Sequence, residues 1–500
     1  MKLSHQCPYC DRVVEIISEQ QSMGLYLYKY DCGHSEFRKK LEFKDTTYSN
    51  LDGTKEAYQF QIDGINFAAR TNFRCIIADE MGLGKTIQSL LAVRNAKLFP
   101  CVVLVRASTI YQWIKEIQNW ASNHPLSVYP VTGTAIPPIA GFDFYVVSMD
   151  TLSRNNTYEK LAKLKPKSVI IDECHSFKDE SSKRTTSLIK FFTTAGDIPR
   201  LLLSGTPIKN RANEFFTPLN LIAPDVFKSK IRFERDWLIQ DDKGQYTRLK
   251  PWRIDAFHEL LSKFSIRREK KDVLTNLPSL KRNYTFVTTY DPDIKELYNS
   301  ELDLFENFMQ NGDKIGPTGI LGWLAKLRGI TAMGKIPFVS EYIANYLESS
   351  TEKICVGIHH HSMRDALKAV FNCLTLSGED SALQKDQIVE KFRDENQLLV
   401  ANIASGGLGL NLQFCANALV VERYWNSADE EQFEGRFHRN GQTQAVTIDY
   451  MMLSGTIDEW FHDLVTKKKE IFNETVNNWN IESDSDSLKD LAWQTINNRL

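Results

Sequence analysis

Residues 74–88 read RCIIADEMGLGKTIQ: an apolar run, RCII, passes into the glycine-bearing segment ADEMGLGKT, which opens a helical stretch. A loop set between a strand and a helix can cradle phosphate. Gly82 and Gly84 let backbone N–H groups approach an anion closely, and the helix N-terminus adds its dipole. Lys85 supplies an ammonium for the outer phosphates, and Thr86 offers a hydroxyl ligand to Mg²⁺. The common G-x-x-x-x-G-K-[ST] spacing begins with glycine, where this chain has Asp79. Working outward, VIIDECH at 169–175 reads as a strand with Asp172 and Glu173 emerging at its carboxyl end. Asp172 would hold Mg²⁺ through water, and Glu173 would orient and deprotonate an attacking water, because phosphoryl transfer mainly needs positioning and charge neutralisation. A DE pair alone usually means surface charge. Together with the loop upstream it predicts a nucleotide hydrolase.

Around these two elements, short β-branched runs alternate with helical stretches. RCIIADE, CVVLVRA, FYVVSMD, SVIIDE and RLLLSG precede a break near Ala223; KICVGIH, NCLTLSG, QLLVANI, ALVVERY and VTIDYMML form a second series. Such alternation implies parallel sheets covered by helices, here two α/β domains in tandem. The expected boundaries are 1–45 for an N-terminal module, 46–223 and 336–475 for the α/β domains, 224–335 for a mainly helical connector, and 476–500 for a tail with a short last helix. In the connector, Ile294, Leu297, Tyr298, Leu302, Phe305, Phe308 and Met309 recur at helical spacing and read as core packing.

Composition narrows the field. With 500 residues the chain should hold about three folded units at about 150 residues each. Nine cysteines in that length exclude a disulfide-stapled scaffold, and 42% hydrophobic with 25% charged residues excludes a disordered chain. No run approaches the roughly 20 apolar residues of a membrane span, and Met1 to Cys10 lack the apolar core of a signal peptide. The expectation is therefore a soluble intracellular protein without membrane contact. A net charge of −2 leaves any nucleic-acid binding to local patches.

At the N-terminus, Cys7 and Cys10 form a C-x-x-C, and Cys32 and His34 a C-x-H, separated by 21 residues. Two turns carrying two ligands each resemble a zinc ribbon or knuckle, so one structural Zn²⁺ is expected. The alternative is a buried reduced pair beside an unrelated C-x-H. The segments between, VVEIISEQQ and GLYLYKYD, have strand character, though the first could be helical. The other six cysteines lie mostly in apolar runs and read as core. His359, His360 and His361 follow a strand, where consecutive side chains diverge, which disfavours a metal.

The second α/β domain carries IASGGLGLNL at 403–412 and QFEGRFHRNGQ at 432–442, which a simple hydrolase would not need. Arg436 and Arg439, three apart, are expected on one helix face, from which guanidinium groups could reach a nucleotide on the first domain when a cleft closes. Hydrolysis would then couple to domain motion.

With these motifs in place, residues 55–470 resemble the Swi/Snf-type branch of superfamily-two helicase-like DNA translocases. FQIDGINF, ADEMGLGKT, VRASTIYQW, VSMDTL, DECH, LSGTPIKN, IRREKKDVLTNLP, KICVGIHHH and YWNSADEEQ follow in family order. DECH stands for the commoner DEAH; Lys385 and Ser427 replace an arginine and a proline usual in the family. The resemblance implies two RecA-like parallel-sheet motor domains joined by a helical connector. It implies ATP as substrate with Mg²⁺, bound by Gln61 as the adenine reader and by Asp79, Met81, Gly82, Leu83, Gly84, Lys85, Thr86, Gly409 and Asn411. Lys85, Asp172, Glu173, Arg436 and Arg439 would be catalytic; Ser204, Thr206, His175 and Gln432 would couple the motor; and Ser108, Gln112, Ser148, His360, Ser405 and Trp425 would touch DNA. Phosphate contacts of that kind position a protein without reading bases. The paired histidines and GKIPFVSEYIANYLESSTEK resemble the HARP-type annealing helicases. Compactness is similar to phage or bacterial branch-migration and fork-remodelling motors, so the expected compartment is the cytoplasm of a bacterial or phage-infected cell more than a nucleus. The implied function is an ATP-driven translocase, acting as a monomer, that remodels forks or four-way junctions in replication, recombination or repair. Two rivals are a translocase that strips proteins such as polymerase from duplex DNA, and a low-turnover ATP-dependent clamp or scaffold.

Overall fold

The computed structural model describes residues 57–466 apart from 121–124, 133–140, 178, 180, 206–211, 241–243, 245, 290, 311–316, 404–409, 424–426 and 464, together with Cys32 and the backbone of the strands within residues 5–38. The described chain divides into two units, with the change at Glu269/Lys270.

The first unit is built on a seven-stranded parallel sheet in the spatial order Ser265–Ile266, Arg74–Ile77, Arg200–Leu203, Ser168–Ile171, Cys101–Val105, Phe144–Ser148, Val128–Val131. CVVLV, FYVVS and SVII are buried along their whole length, as expected for strands covered on both faces, where no polar alternation is possible. One face packs Ile76, Val102, Tyr145, Val169 and Leu202 against Leu188 and Phe191 of the helix Lys183–Ala195. The other packs Cys75, Val103, Phe144, Ile170 and Leu201 against Leu90 and Leu91 of the helix Lys85–Asn95 and against Trp113. Because the strands are parallel, their carboxyl ends lie along one edge of the sheet, the position where ligands bind in parallel α/β folds.

The second unit has a six-stranded parallel sheet in the order Leu280–Val287, Val446–Leu453, Asn417–Val420, Ile354–Ile358, Leu398–Asn402, Leu374–Leu376. Two parallel α/β sheets were expected, and two are found. The stretch 224–335, read from the sequence as one helical connector, is instead shared between them: Ser265–Ile266 joins the first sheet, Leu280–Val287 the second. Within it the helix Pro292–Gln310 buries Tyr298 and Leu302 as the periodicity required, while Leu297 faces solvent. The side chains of Phe305, Phe308 and Met309 lie outside the described residues.

In the N-terminal module, Ile16–Ser22, Leu25–Tyr30 and Ser35–Arg38 form a three-stranded antiparallel sheet, so both candidate segments are strands. Cys32 sits partly buried in a turn between two of them; Cys7, Cys10 and His34 lie outside the described residues, as does the tail 476–500. No helix among the described residues is long and apolar enough to cross a membrane.

Candidate nucleotide site

The glycine-bearing loop begins where the strand Arg74–Ile77 ends and closes into the helix Lys85–Asn95, with Gly84 as its N-cap. Gly82 and Gly84 adopt φ of +89° and +75°, a left-handed backbone open to glycine at no steric cost. At Gly84 a Cβ would also stand 2.4 Å from Gln61 Nε2. That glutamine lies on the helix Gln59–Arg70 and donates to the Leu83 carbonyl (3.2 Å), so the expected adenine reader touches the loop directly. Lys85 Nζ donates to the carbonyls of Asp79 (2.7 Å) and Glu80 (3.3 Å). Burial lowers its pKa, while the charges of Glu173, Asp79 and Asp172 oppose the shift.

Asp172 and Glu173 emerge at the carboxyl end of Ser168–Ile171, as the sequence predicts. Asp172 Oδ2 accepts from Trp113 Nε1 (3.0 Å) and Oδ1 from the Glu173 backbone N–H (3.0 Å). Its carboxyl is pushed up to about 6, first by burial and then by the neighbouring Glu173 charge. Glu173 holds φ of +50°, which for a residue with a Cβ stores on the order of 1 kcal/mol or more of strain. His175 Nδ1 lies 3.2 Å from Glu173 Oε2 and 3.1 Å from Ser204 Oγ, and Arg106 Nη2 reaches its Nε2 at 3.4 Å. Because a guanidinium can only donate, Nε2 accepts and Nδ1 carries the hydrogen, which it donates to Ser204 Oγ while Glu173 Oε2 stands within ion-pair distance. The expected coupling residues His175 and Ser204 are thus joined to the expected base; Thr206 lies outside the described residues.

Three groups that the sequence left unassigned stand in this site. Trp113 fixes an Asp172 oxygen. Arg267 donates to the carbonyls of Ala78 (2.9 Å) and Gly205 (3.2 Å), and Arg268 forms an ion pair with Asp79. Both arginines belong to the IRREKKDV segment, whose doubled basic residues were the one available signal.

In the second unit, Arg436 lies in the last turn of the helix Ser427–Phe437, but Arg439 lies beyond it. The expectation of one helix face is corrected: the helix stops at Phe437, and Gly441 (φ +92°) turns the chain after it. Arg439 Nη1 donates to Asn411 Oδ1 (2.7 Å), which joins an expected catalytic residue to an expected ATP-binding one, and Gln432 is buried. Gly409, Ser405 and Trp425 lie outside the described residues. Of the candidate DNA contacts, Ser108 and Gln112 are half-buried on the turn and helix that carry Trp113. Ser148 is 3% exposed, accepting from Thr151 N–H as the N-cap of Met149–Leu152. Its hydroxyl also donates to Thr151 Oγ1 (2.8 Å), so it is engaged within the protein. His360 caps the helix His361–Phe371 and bonds Glu422 through Nδ1 and backbone N–H. Burial raises the Glu422 carboxyl, but the His360 contacts outweigh it and hold the group at about 2.

The first-unit residues fit a nucleotide with a divalent cation: N–H donors of a glycine loop at a helix N-terminus, a half-buried ammonium at Lys85, a hydroxyl at Thr86 and two carboxylates at the carboxyl end of Ser168–Ile171, one strand further across the sheet than Arg200–Leu203. The model of the SNF2-related domain matches residues 34–333, more than half of the chain, and that of the helicase conserved C-terminal domain matches residues 334–441. The chain belongs to the SNF2-related family. It is a Swi/Snf-type helicase-like ATPase by that membership, which implies use of ATP and Mg²⁺. Among its relatives, the DNA annealing helicase and endonuclease ZRANB3 of Bos taurus is 28% identical over 89% of this chain and 42% of its own length. The SWI/SNF-related matrix-associated actin-dependent regulator of chromatin subfamily A-like protein 1 of Xenopus laevis is also 28% identical, over 87% of this chain and 46% of its own. The SNF2-related chain spans under half the length of each of these two relatives. A solved structure, the Sulfolobus solfataricus SWI2/SNF2 ATPase core in complex with dsDNA, is 21% identical, with 90% of this chain and 97% of that one covered at a TM-score of 0.43.

Proposed function

We propose that this chain is an ATP-dependent DNA translocase that remodels branched DNA by branch migration, fork regression or strand annealing. The observation that carries the reading is the convergence of Lys85, Asp172, Glu173 and His175 at the carboxyl edge of the first sheet in a family member, which supports phosphate binding and water activation there. Similarity to proteins named as annealing helicases gives the branched-DNA reading its support.

In this mechanism the loop N–H groups and Lys85 bind and neutralise the outer phosphates, and Gln61 holds the adenine end. Thr86 and Asp172 would hold Mg²⁺, which supplies charge neutralisation on the phosphates. Glu173 orients the attacking water and accepts its proton, with His175, itself bonded to Ser204, standing beside the carboxylate. From the second unit, Arg436 and Arg439 stabilise transition-state charge, so turnover depends on both units. Ser108, Gln112, His360, Ser405 and Trp425 contact DNA phosphates without reading sequence. The protein acts as a monomer, and Cys7, Cys10, Cys32 and His34 bind one structural Zn²⁺, which elemental analysis of the full chain and of Cys7→Ser should show as one metal and none.

The test is ATP hydrolysis at constant salt without nucleic acid, then with single strands, linear duplex, a fork and a four-way junction at equal nucleotide concentration. Strongest stimulation by forks or junctions is expected. Equal stimulation by linear duplex would replace the branched-DNA reading with a general translocase.

A further inference from the structure

A generic phosphate loop opens with glycine, whereas here Asp79 is 0% exposed at that place. A carboxylate so buried needs a partner in register. Arg268 provides it from 189 residues away: Nε donates to Asp79 Oδ1 (3.0 Å), and Nη2 to Oδ2. The same guanidinium reaches further. Nη2 donates to Gln88 Oε1 (2.8 Å), Nη1 to the Phe60 carbonyl, and the group lies 5.5 Å above the Phe60 ring. Gln88 in turn donates to Asp79 Oδ2 (2.9 Å) and to the Leu83 carbonyl (3.3 Å), the carbonyl that Gln61 also grips. One planar fork therefore ties together the helix that carries Gln61, the phosphate loop and the helix that follows it. The first of these helices has glycine where it passes over the fork. A Cβ on Gly64 would stand 1.9 Å from Gln88 Oε1 and 2.9 Å from Arg268 Nη2. Arg268 is also the last residue but one of the first unit, which ends at Glu269. Its carbonyl accepts from Glu80 N–H (2.9 Å), so backbone and side chain both fasten the departing segment to the loop.

We propose that Arg268 is a positioning residue that locks the nucleotide loop to the segment by which the chain leaves the first unit, so that nucleotide binding and the order of residues 267–274 are linked. The proposal rests on the reading that this loop binds nucleotide. Linkage is reciprocal: whatever displaces that segment loosens the grip on nucleotide by the same free energy with which nucleotide steadies the segment. A lysine at 268 would supply one point of charge and lose the second bond to the carboxylate.

The experiment uses the full chain and two readouts besides activity: equilibrium binding of a fluorescent ADP analogue, and amide hydrogen exchange over residues 267–274 with and without saturating ADP. The wild type is expected to bind, with ADP slowing exchange in that segment. Arg268→Ala should bind about tenfold more weakly, the size of coupling usual between contacting residues, and should lose the slowing even when saturated. Arg268→Lys should recover part of both, and KM for ATP should rise more than kcat falls. Asp79→Asn tests the same link if Arg268→Ala does not fold, and the double variant Asp79→Asn with Arg268→Met should be no worse than the worse single change. Wild-type ADP affinity and wild-type slowing in either folded single variant would overturn the lock while leaving the nucleotide reading intact. Failure of the wild type to bind ADP would overturn both.

Discussion

Replacing Asp172 by asparagine should stabilise the nucleotide-free protein at pH 8 and fail to stabilise it at pH 4. Burial, then the charge of Glu173, push the Asp172 carboxyl from 3.8 to about 6, against the opposing bonds from Trp113 and the Glu173 N–H. About two pKa units at about 1.4 kcal/mol each put the cost of keeping this carboxylate charged on the order of 3 kcal/mol. The sign follows from proton counting. Between about pH 4 and 6 the folded protein holds a proton that the unfolded chain has lost, so stability falls as pH rises through that window. The penalty is complete above pH 6 and absent below the unfolded carboxyl's own value. Asparagine, like the protonated carboxyl, removes the charge, and the bonds from Trp113 and the Glu173 N–H are already counted in the shifted value. The expected gain is then on the order of 3 kcal/mol at pH 8 and close to zero at pH 4. Urea unfolding of both proteins at the two pH values reads the difference from the midpoints. An equal effect at both would refute the charge-burial argument, whatever its sign.

Other consequences are more direct. Lys85→Ala should abolish ATP hydrolysis and nucleotide binding together, whereas Glu173→Gln should abolish hydrolysis and retain bound nucleotide; filter binding beside a phosphate-release assay separates them, and wild-type turnover in either would end the mechanism. Arg439→Ala should leave ADP affinity within about twofold while lowering DNA-stimulated kcat by about 10³-fold, the effect of losing a transition-state arginine. In the second unit, Lys335 is 1% exposed with Nζ on Asp458 Oδ2 and the Val421 carbonyl. Lys335→Ala strands that carboxylate and should cost about 3–5 kcal/mol in urea unfolding, part of which Lys335→Met with Asp458→Asn should restore.

What the sequence disclosed follows from where the physics is local. A phosphate loop is contiguous, so ADEMGLGKT shows it whole, and strands buried on both faces appear as unbroken apolar runs such as CVVLV. Strand Leu280–Val287 escaped because it is an edge strand, mostly exposed, whose LKRNYTFV offers no apolar run to read. Ser265–Ile266 is two residues long, below the length at which any periodicity exists. Trp113 and Arg268 were legible as residues, but their partners Asp172 and Asp79 lie 59 and 189 positions away. The end of the helix at Phe437 was hidden because RFHRNG keeps helical spacing up to the turn at Gly441.

The edge position of Ser265–Ile266 beside Arg74–Ile77 also sets an order of assembly. The ribosome makes the phosphate loop early and the residue that pairs with Asp79 189 positions later. At about 5–20 residues per second, the nascent loop waits roughly 10–40 s with its buried carboxylate unanswered. The first sheet can collapse in that interval, but its last strand and its ion pair arrive only as synthesis crosses toward the second unit. A nascent chain therefore completes the first unit's share of its nucleotide site at about the time it begins the unit that carries Arg436 and Arg439.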